Sequence, residues 1–297
     1  MISSAGIVAD FLFGEEKEMK RILTVMLALA LMFALTACGG AKTNSGVEDG
    51  VLTVAMECAY APYNWAQADD SNGAVPIKGS DLYANGYDVM TAKAICEANG
   101  WELEIVQLDW DSLIPAVQAG TVDAVIAGQS MTSERMESVD FAGPYLYATI
   151  VCVTDSDSPF ASAKSIDDLA GGKCTSQSGT IWYDSCLPQI PGAEILTPQE
   201  TASAMLVALA SGTVDFICTD VPTAQGALIA YPNFTILDFS GSSHDFEVSE
   251  EEVNIGVSVR KGNTELKDAI DSYLSTLTAA DFNERMAQAI AVQPLSE

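Results

Sequence analysis

The sequence predicts an α/β protein built from two similar lobes, and three observations carry that prediction. Strand-like and helix-like stretches alternate over the first part of the fold, in a β-α-β-α-β order from Val51 to Ala127. Such an order predicts a largely parallel sheet with helices against its faces. The chain then repeats itself. PAVQAGTVDAVIAG, Pro115–Gly128, and VALASGTVDFICTD, Val207–Asp220, superimpose at a constant offset of 92 residues (Val122 to Val214), with Gly128 opposite Asp220. An internal repeat marks a duplicated structural unit, so each copy belongs to its own lobe. Finally, an apolar run at Asn254–Val259 is followed by two amphipathic stretches, Leu266–Leu277 and Ala280–Ile290. That run is predicted to rejoin the first lobe, with the helices packed on it.

The chain opens with a segment outside this pattern. Lys20 and Arg21 precede ILTVMLALALMFALTA, which is shorter than the roughly 20 apolar residues of a membrane span. It ends in Leu35-Thr36-Ala37-Cys38, which resembles a bacterial lipobox. Residues 19–37 are therefore expected to be a lipoprotein signal peptide, and Cys38 the lipidated mature N-terminus. Residues 1–18 read as a translated upstream extension, with Met19 the true start. Residues 38–50, rich in glycine and polar groups, read as a flexible tether. The expected location is extracytoplasmic, lipid-anchored to the outer face of the cell membrane.

Charge and cysteines exclude several functions. The formal charge is −28, from 13 basic and 41 acidic residues, so there is no basic footprint for nucleic acid. The acidity reads as a solvated, self-repelling surface. Apart from Cys38, the cysteines are Cys58, Cys96, Cys152, Cys174, Cys186 and Cys218, none spaced C-x-x-C, and His244 is the single histidine. That pattern rules out zinc-finger and histidine-rich metal motifs. An exported chain has the option of up to three disulfides; mostly free, buried thiols are expected, because three of the six fall in strand-like runs. No metal and no cofactor are expected.

Within the fold, Val51–Met56 is predicted as the first strand, followed by Glu57, Tyr60, Tyr63 and Trp65, a carboxylate and aromatics suited either to a pocket or to a core. Ala66–Asn85 reads as a loop or loose hairpin. A helix from Met90 closes on Gly100. Glu102–Gln107 is a strand, Asp109–Gly120 a helix, and Val122–Ala127 a buried strand stopping at Gly128. Thr132 is a helix N-cap and Arg135 sits one turn in. Bare helix-start N–H groups beside a guanidinium suit a carboxylate. A crossover is placed near Leu146–Thr149, giving one lobe from residues 51–147 with 247–297 and another from 148–246. In the second lobe, strand Lys173–Gln177 and turn Ser178-Gly179-Thr180 again lead into a helix start, where Thr180 is placed to meet an anion. The repeat strand Val214–Thr219 ends at Asp220. A cation site facing an anion site across a crevice matches the two charges of an α-amino acid.

YAPYNW, GYDVMTAKAI, DWDSLIPAVQAGTVDAVIAGQSMTSERMESVDFAGPY, SGT and SGTVDFICTD together resemble the family-3 extracellular solute-binding proteins, the amino-acid receptors of ABC importers, over essentially all of Val51–Val292. The resemblance implies a periplasmic-binding-protein-like type II fold: two lobes, each a mostly parallel sheet flanked by helices, joined by two crossovers and closing over the ligand. By position it implies Arg135 on the α-carboxylate, with Ser130 and the N–H groups near Thr180; Asp220 on the α-ammonium, with the Gly128 carbonyl; Tyr60 and Tyr87 sandwiching the side chain; and Glu57 at its far end. Met90 stands where an acid is usual, the loop before Gly86 is long, and Glu57 replaces a common Asp. The implied partners are a small amino acid and an ABC permease. A monomer and no enzymatic activity are expected. Glu57 favours a cationic or amide side chain. The alternatives are a cyclohexadienyl or arogenate dehydratase, in which Glu57 is a general acid, and a ligand-sensing module for a separate receptor.

Overall fold

The computed structural model describes residues 47 and 49–294. The predicted upstream extension, the signal peptide, Cys38 and nearly all of the 38–50 tether lie outside the described residues. Strand β1 (Val51–Met56) opens the fold, followed by the short strands β2 (Ala59–Tyr60), β3 (Asn64–Gln67), β4 (Val75–Pro76) and β5 (Tyr83–Asn85). The last four form a small antiparallel sheet in the order β2-β3-β5-β4, where the sequence suggested a loop or loose hairpin over Ala66–Asn85 and no strand in the aromatic stretch before it. Strands of two to four residues are too short to show an alternating apolar period.

Helix α1 (Tyr87–Asn99) begins three residues before the expected Met90 and closes on Gly100 in the left-handed conformation, as predicted. Its start is set by backbone. The N–H groups of Tyr87 and Asp88 donate to the carbonyls of Pro62 and Tyr63 at 3.1 and 2.8 Å, replacing a side-chain cap. Gly86 sits at φ 124°, and a Cβ there would stand 2.4 Å from the Tyr63 carbonyl oxygen. Only glycine permits this approach.

The first lobe continues with β6 (Glu102–Gln107), α2 (Leu113–Ala119), β7 (Ala124–Val125), α3 (Ser133–Ser138) and β8 (Val139–Tyr147). Two residues then carry the chain to β9 (Ile150–Asp155), in the other sheet, followed by β10 (Lys173–Thr175), β11 (Glu194–Ile195), α4 (Ala202–Ala210), β12 (Phe216–Asp220), α5 (Val221–Ala230) and β13 (Phe234–Leu237). A short helix, α6 (Glu250–Val253), leads back into β14 (Asn254–Arg260), and α7 (Thr264–Leu274) and α8 (Ala279–Val292) complete the described chain.

The two large sheets have matching orders, β6-β1-β7-β14-β8 and β11-β10-β12-β9-β13. Each contains one reversed strand. In the first sheet β14 runs antiparallel to both β7 and β8, while β1 is parallel to β6 and β7. In the second, β9 runs antiparallel to β12 and β13, while β10 is parallel to β11 and β12. In both sheets the reversed strand is the one that arrives from the other sheet. A parallel neighbour needs a long crossover of its own, which a chain entering directly from outside the sheet does not make.

The repeat is reproduced bond by bond. Gly120 caps α2 and Gly212 follows the Ser211 cap of α4, both in the left-handed region. Thr121 and Thr213 each donate their N–H at 3.0 Å to a carbonyl five residues back. Asp123 accepts the Thr53 N–H and Asp215 accepts the Lys173 N–H, both at 2.8 Å, tying each repeat strand to its parallel neighbour. The six cysteines from Cys58 to Cys218 are all free and buried, in line with the thiol expectation.

Replacing Gly86 with alanine should cost about 2 kcal/mol or more, from a strained φ and the clash with Tyr63. Urea unfolding checks this; a loss within experimental error would show that the 62–63 backbone yields freely.

Candidate functional site

The parallel strands of both sheets point their C-terminal ends at one crevice, as ligand sites in open α/β sheets require. Glu57 follows β1, Gly128 follows β7, Gln177 follows β10, and Asp220 ends β12. Arg135 reaches the same place from α3.

Asp220 serves two structures with its two oxygens. Oδ1 caps α5 by accepting the Thr223 N–H at 2.9 Å. Oδ2 faces the crevice and accepts the Tyr63 and Tyr60 hydroxyls at 2.7 and 3.2 Å, across the boundary between lobes. The side chain is 1 % exposed. Burial pushes its pKa up, and the Thr223 and tyrosine hydrogen bonds oppose that shift.

Arg135 lies on the other side. Thr132 caps its helix by accepting the Arg135 N–H, as predicted. The guanidinium donates Nη1 to the Ser130 carbonyl and Nη2 to the Gly179 carbonyl, both at 2.9 Å, again joining the lobes. It stands 5.5 Å from the centre of the Trp110 ring. Desolvation lowers its pKa to about 10, while Glu134 and Asp184 hold the charge in place, so it stays protonated at neutral pH. Gly179, in the predicted turn, lets Trp110 approach to 3.3 Å of the place a Cβ would take. Thr180 is buried and donates its hydroxyl to the Gln177 carbonyl at 2.8 Å.

Between these ends run the aromatics. Tyr60 stacks on Tyr63 with centroids 4.5 Å apart and meets Trp182 edge-on at 6.1 Å. Both tyrosine rings press on Gly128, whose φ of 65° and lack of a Cβ allow contact. Glu57 is 5 % exposed and accepts from Gln177 Nε2 at 3.4 Å. Desolvation raises its pKa to about 7; Gln177 opposes this, and the neighbouring Asp109 and Asp111 add to it.

Tyr60, Gly128, Ser130, Arg135, Thr180 and Asp220 line a single cavity of about 20 Å³. That space holds a water molecule, so a larger guest needs the lobes or their side chains to move apart. Beside Arg135 the crevice widens into a groove of about 540 Å³ rimmed by Glu134, Asp184, Glu251 and Glu252. Among the described residues no cluster of His, Cys, Asp and Glu is arranged to hold a metal ion.

The model of the bacterial extracellular solute-binding proteins, family 3, matches residues 52–289. The chain belongs to that family. Its type II periplasmic-binding fold is shared by an amino-acid ABC transporter substrate-binding protein of Streptococcus pneumoniae solved bound to L-arginine, with a TM-score of 0.67 and 25 % identity over 82 % of this chain and 95 % of that one. The arginine-binding extracellular protein ArtP of Bacillus subtilis is 34 % identical over 165 residues, 55 % of this chain and 58 % of ArtP. A probable histidine-binding protein of Campylobacter jejuni is 29 % identical over 72 % of this chain and 79 % of the relative. These relatives are named as binding proteins, not as enzymes.

Within this family-3 protein, two of the predicted site residues, Glu57 and Tyr87, are not among those lining the cavity; Glu57 stands behind Gln177, which does line it and donates to it. Tyr87 is fully buried in the first lobe, stacked 5.7 Å from Tyr145 and donating its hydroxyl to the Tyr145 carbonyl. The α1 start docks on the 62–63 backbone and draws Tyr87 inward. The ring stacked on Tyr60 is Tyr63, which the sequence left open between pocket and core; it does not itself line the cavity but sends its hydroxyl to Asp220, while Trp65 faces a separate surface groove. Trp110, Gln177 and Trp182 were missed as lining residues. Gln177 and Trp182 flank the SGT turn that the sequence marks. Trp110 gave no signal of its own, since it sits in a short 3₁₀ turn whose direction depends on packing.

The raised Glu57 pKa has a signed consequence. Below about pH 4.5 the carboxyl is protonated whether the chain is folded or not. Above that the unfolded chain ionises first, so this group costs the folded protein stability as pH rises toward 7. Glu57→Gln should therefore match wild type near pH 4.5 and exceed it by on the order of 2 kcal/mol at pH 8. Denaturant titration across this range checks the expectation, and a pH-independent difference would refute it.

Proposed function

We propose that this protein captures an amino acid with a cationic side chain by lobe closure and delivers it to the permease of an ABC importer, held at the outer membrane face by a lipid on Cys38. The observation that carries the side-chain assignment is the charge around Glu57. The groups acting on this buried carboxylate are Gln177 and two further carboxylates, Asp109 and Asp111. A guanidinium or ammonium relieves that accumulation, whereas an acidic side chain worsens it. The arginine-bound structural relative and the arginine- and histidine-binding relatives support the same class.

Arg135 takes the α-carboxylate through its planar fork, exchanging a carbonyl for an anion and gaining a charge-assisted pair. Ser130 and the N–H groups near Thr180 supply further donors. Asp220 takes the α-ammonium on Oδ2, with the Gly128 carbonyl alongside. The two groups lie on different lobes, so only a closed protein satisfies both ends of the zwitterion. The guest shifts the population toward closure by its differential affinity for that state, and the permease reads the closed surface.

Thermal-shift and calorimetric titration of the purified protein with the twenty amino acids tests this. L-arginine and L-lysine should give the largest stabilisation; no shift with any polar amino acid would remove the proposal. Arg135→Ala and Asp220→Asn should each weaken arginine binding by about 30-fold or more, since each strands one charge of the ligand.

Glu57→Gln separates the side-chain assignment from the zwitterion site. It should weaken arginine binding about tenfold and glutamine binding little. Wild-type affinity for arginine should fall as pH drops below 7, because the cation binds the ionised carboxylate, and the variant should lose this dependence. Equal losses for arginine and glutamine would instead favour a neutral or sulfur-containing side chain.

A further inference from the structure

Behind the lobe-1 wall of the crevice lies a second buried carboxylate that lines no part of the cavity. Asp88 is in the first turn of α1 and is fully buried, yet it provides no side-chain cap. Its bonds run elsewhere. Oδ1 accepts the Tyr145 hydroxyl at 2.7 Å, and that hydroxyl oxygen accepts the Gly128 N–H at 3.0 Å. Oδ2 accepts Asn64 Nδ2 at 2.7 Å, and Asn64 Oδ1 accepts the Cys58 N–H at 2.6 Å. One carboxylate thus holds two arms. The first ends at Gly128, on which the Tyr60 and Tyr63 rings press. The second ends at Cys58, next to Glu57, in a residue held at φ 56°.

We propose that Asp88 is a positioning residue for the ligand crevice, setting where Gly128 and the Glu57–Tyr60 turn stand through Tyr145 and Asn64 without touching the guest. The physical case rests on cost. A buried carboxylate is a poor source of stability, and an apolar residue of similar size often serves a core as well or better. Desolvation pushes the Asp88 pKa up to about 6 even though Tyr145, Asn64 and the backbone oppose it. What the carboxylate supplies is direction. Two acceptor oxygens with fixed partners orient two separate backbone segments, and a cleft must hold its groups within a fraction of an ångström. The network is also complete: among the described residues the buried side-chain polar atoms without partners are Thr219 Oγ1 and Gln293 Oε1, neither of them in it. A satisfied buried network specifies one arrangement.

The two arms make this separable from a general role in stability. Hydrogen exchange of individual amides, read by NMR on the unliganded protein, is the primary measurement. Tyr145→Phe should speed exchange of the Gly128 amide at least tenfold and leave Cys58 within twofold. Asn64→Ala should do the reverse. Asp88→Asn should speed both, while Val54 and Ile105 in the sheet stay within twofold of wild type. In the same three variants, binding of L-arginine should weaken, by about tenfold for Asp88→Asn and less for each single-arm variant. This last readout rests on the amino-acid reading above; if the wild type binds no amino acid, that reading falls and the exchange pattern alone decides the positioning role. Uniform acceleration through the lobe, or unchanged Gly128 and Cys58 amides in the single-arm variants, overturns the proposal. Should Asp88→Asn fail to fold, the exchange rates of the two single-arm variants still decide between the outcomes.

Discussion

A buried carboxylate met only by neutral donors is the constraint on which the site depends. Among the described residues, Asp220 is held by the Tyr60 and Tyr63 hydroxyls and the Thr223 N–H, and no cation is among its hydrogen-bond partners. Such a group is costly unless its surroundings are fixed. Here the fixing comes from both lobes, since the N–H belongs to the helix that Asp220 caps and the hydroxyls belong to the facing lobe. The same bonds that make the carboxylate tolerable also align the lobes. A cation placed beside it gains more than it would at an exposed acid, because the cost of drying the carboxylate is already met in the folded protein.

The opposite end obeys a complementary rule. Arg135 is tied to carbonyls of two different lobes, and a carbonyl is a weaker partner for a guanidinium than a carboxylate is. The crevice therefore presents two charges whose present partners are both of the exchangeable, neutral kind, separated by a row of aromatic rings. The matching strand orders of the two sheets explain why the charges face each other. Each repeat strand sits in the same place in its sheet, and both deliver their C-terminal ends to the shared boundary.

Much of this was legible in the primary structure because it is local. The glycine-threonine-valine-aspartate turn uses its own residues to end a helix, brace a neighbouring strand and start another, so both copies announced themselves. The Thr132 cap lies three residues from Arg135, and the helix it starts could be foreseen. The SGT turn was likewise visible. The small sheet was not, because its strands are held by cross-chain pairing and not by a run of apolar residues. The reversed strand in each large sheet was not visible either, since direction follows from which lobe the chain has just left.

The amino-acid sequence by itself determined the class of fold, the duplication, and the positions of one guanidinium in the helix after one repeat strand and one acid at the end of the other, because short-range hydrogen bonds and apolar periodicity set these. Only the tertiary structure decided which aromatic rings reach the crevice. Tyr63 packs behind Tyr60 and reaches Asp220 with its hydroxyl, and Tyr87 turns inward because the start of α1 docks on the backbone of residues 62–63, a contact between segments more than twenty residues apart. The placement of Gln177 against Glu57 belongs to the same category, since it joins residues 120 positions apart across two lobes. Contacts of that reach depend on how whole elements pack, and no local pattern records them.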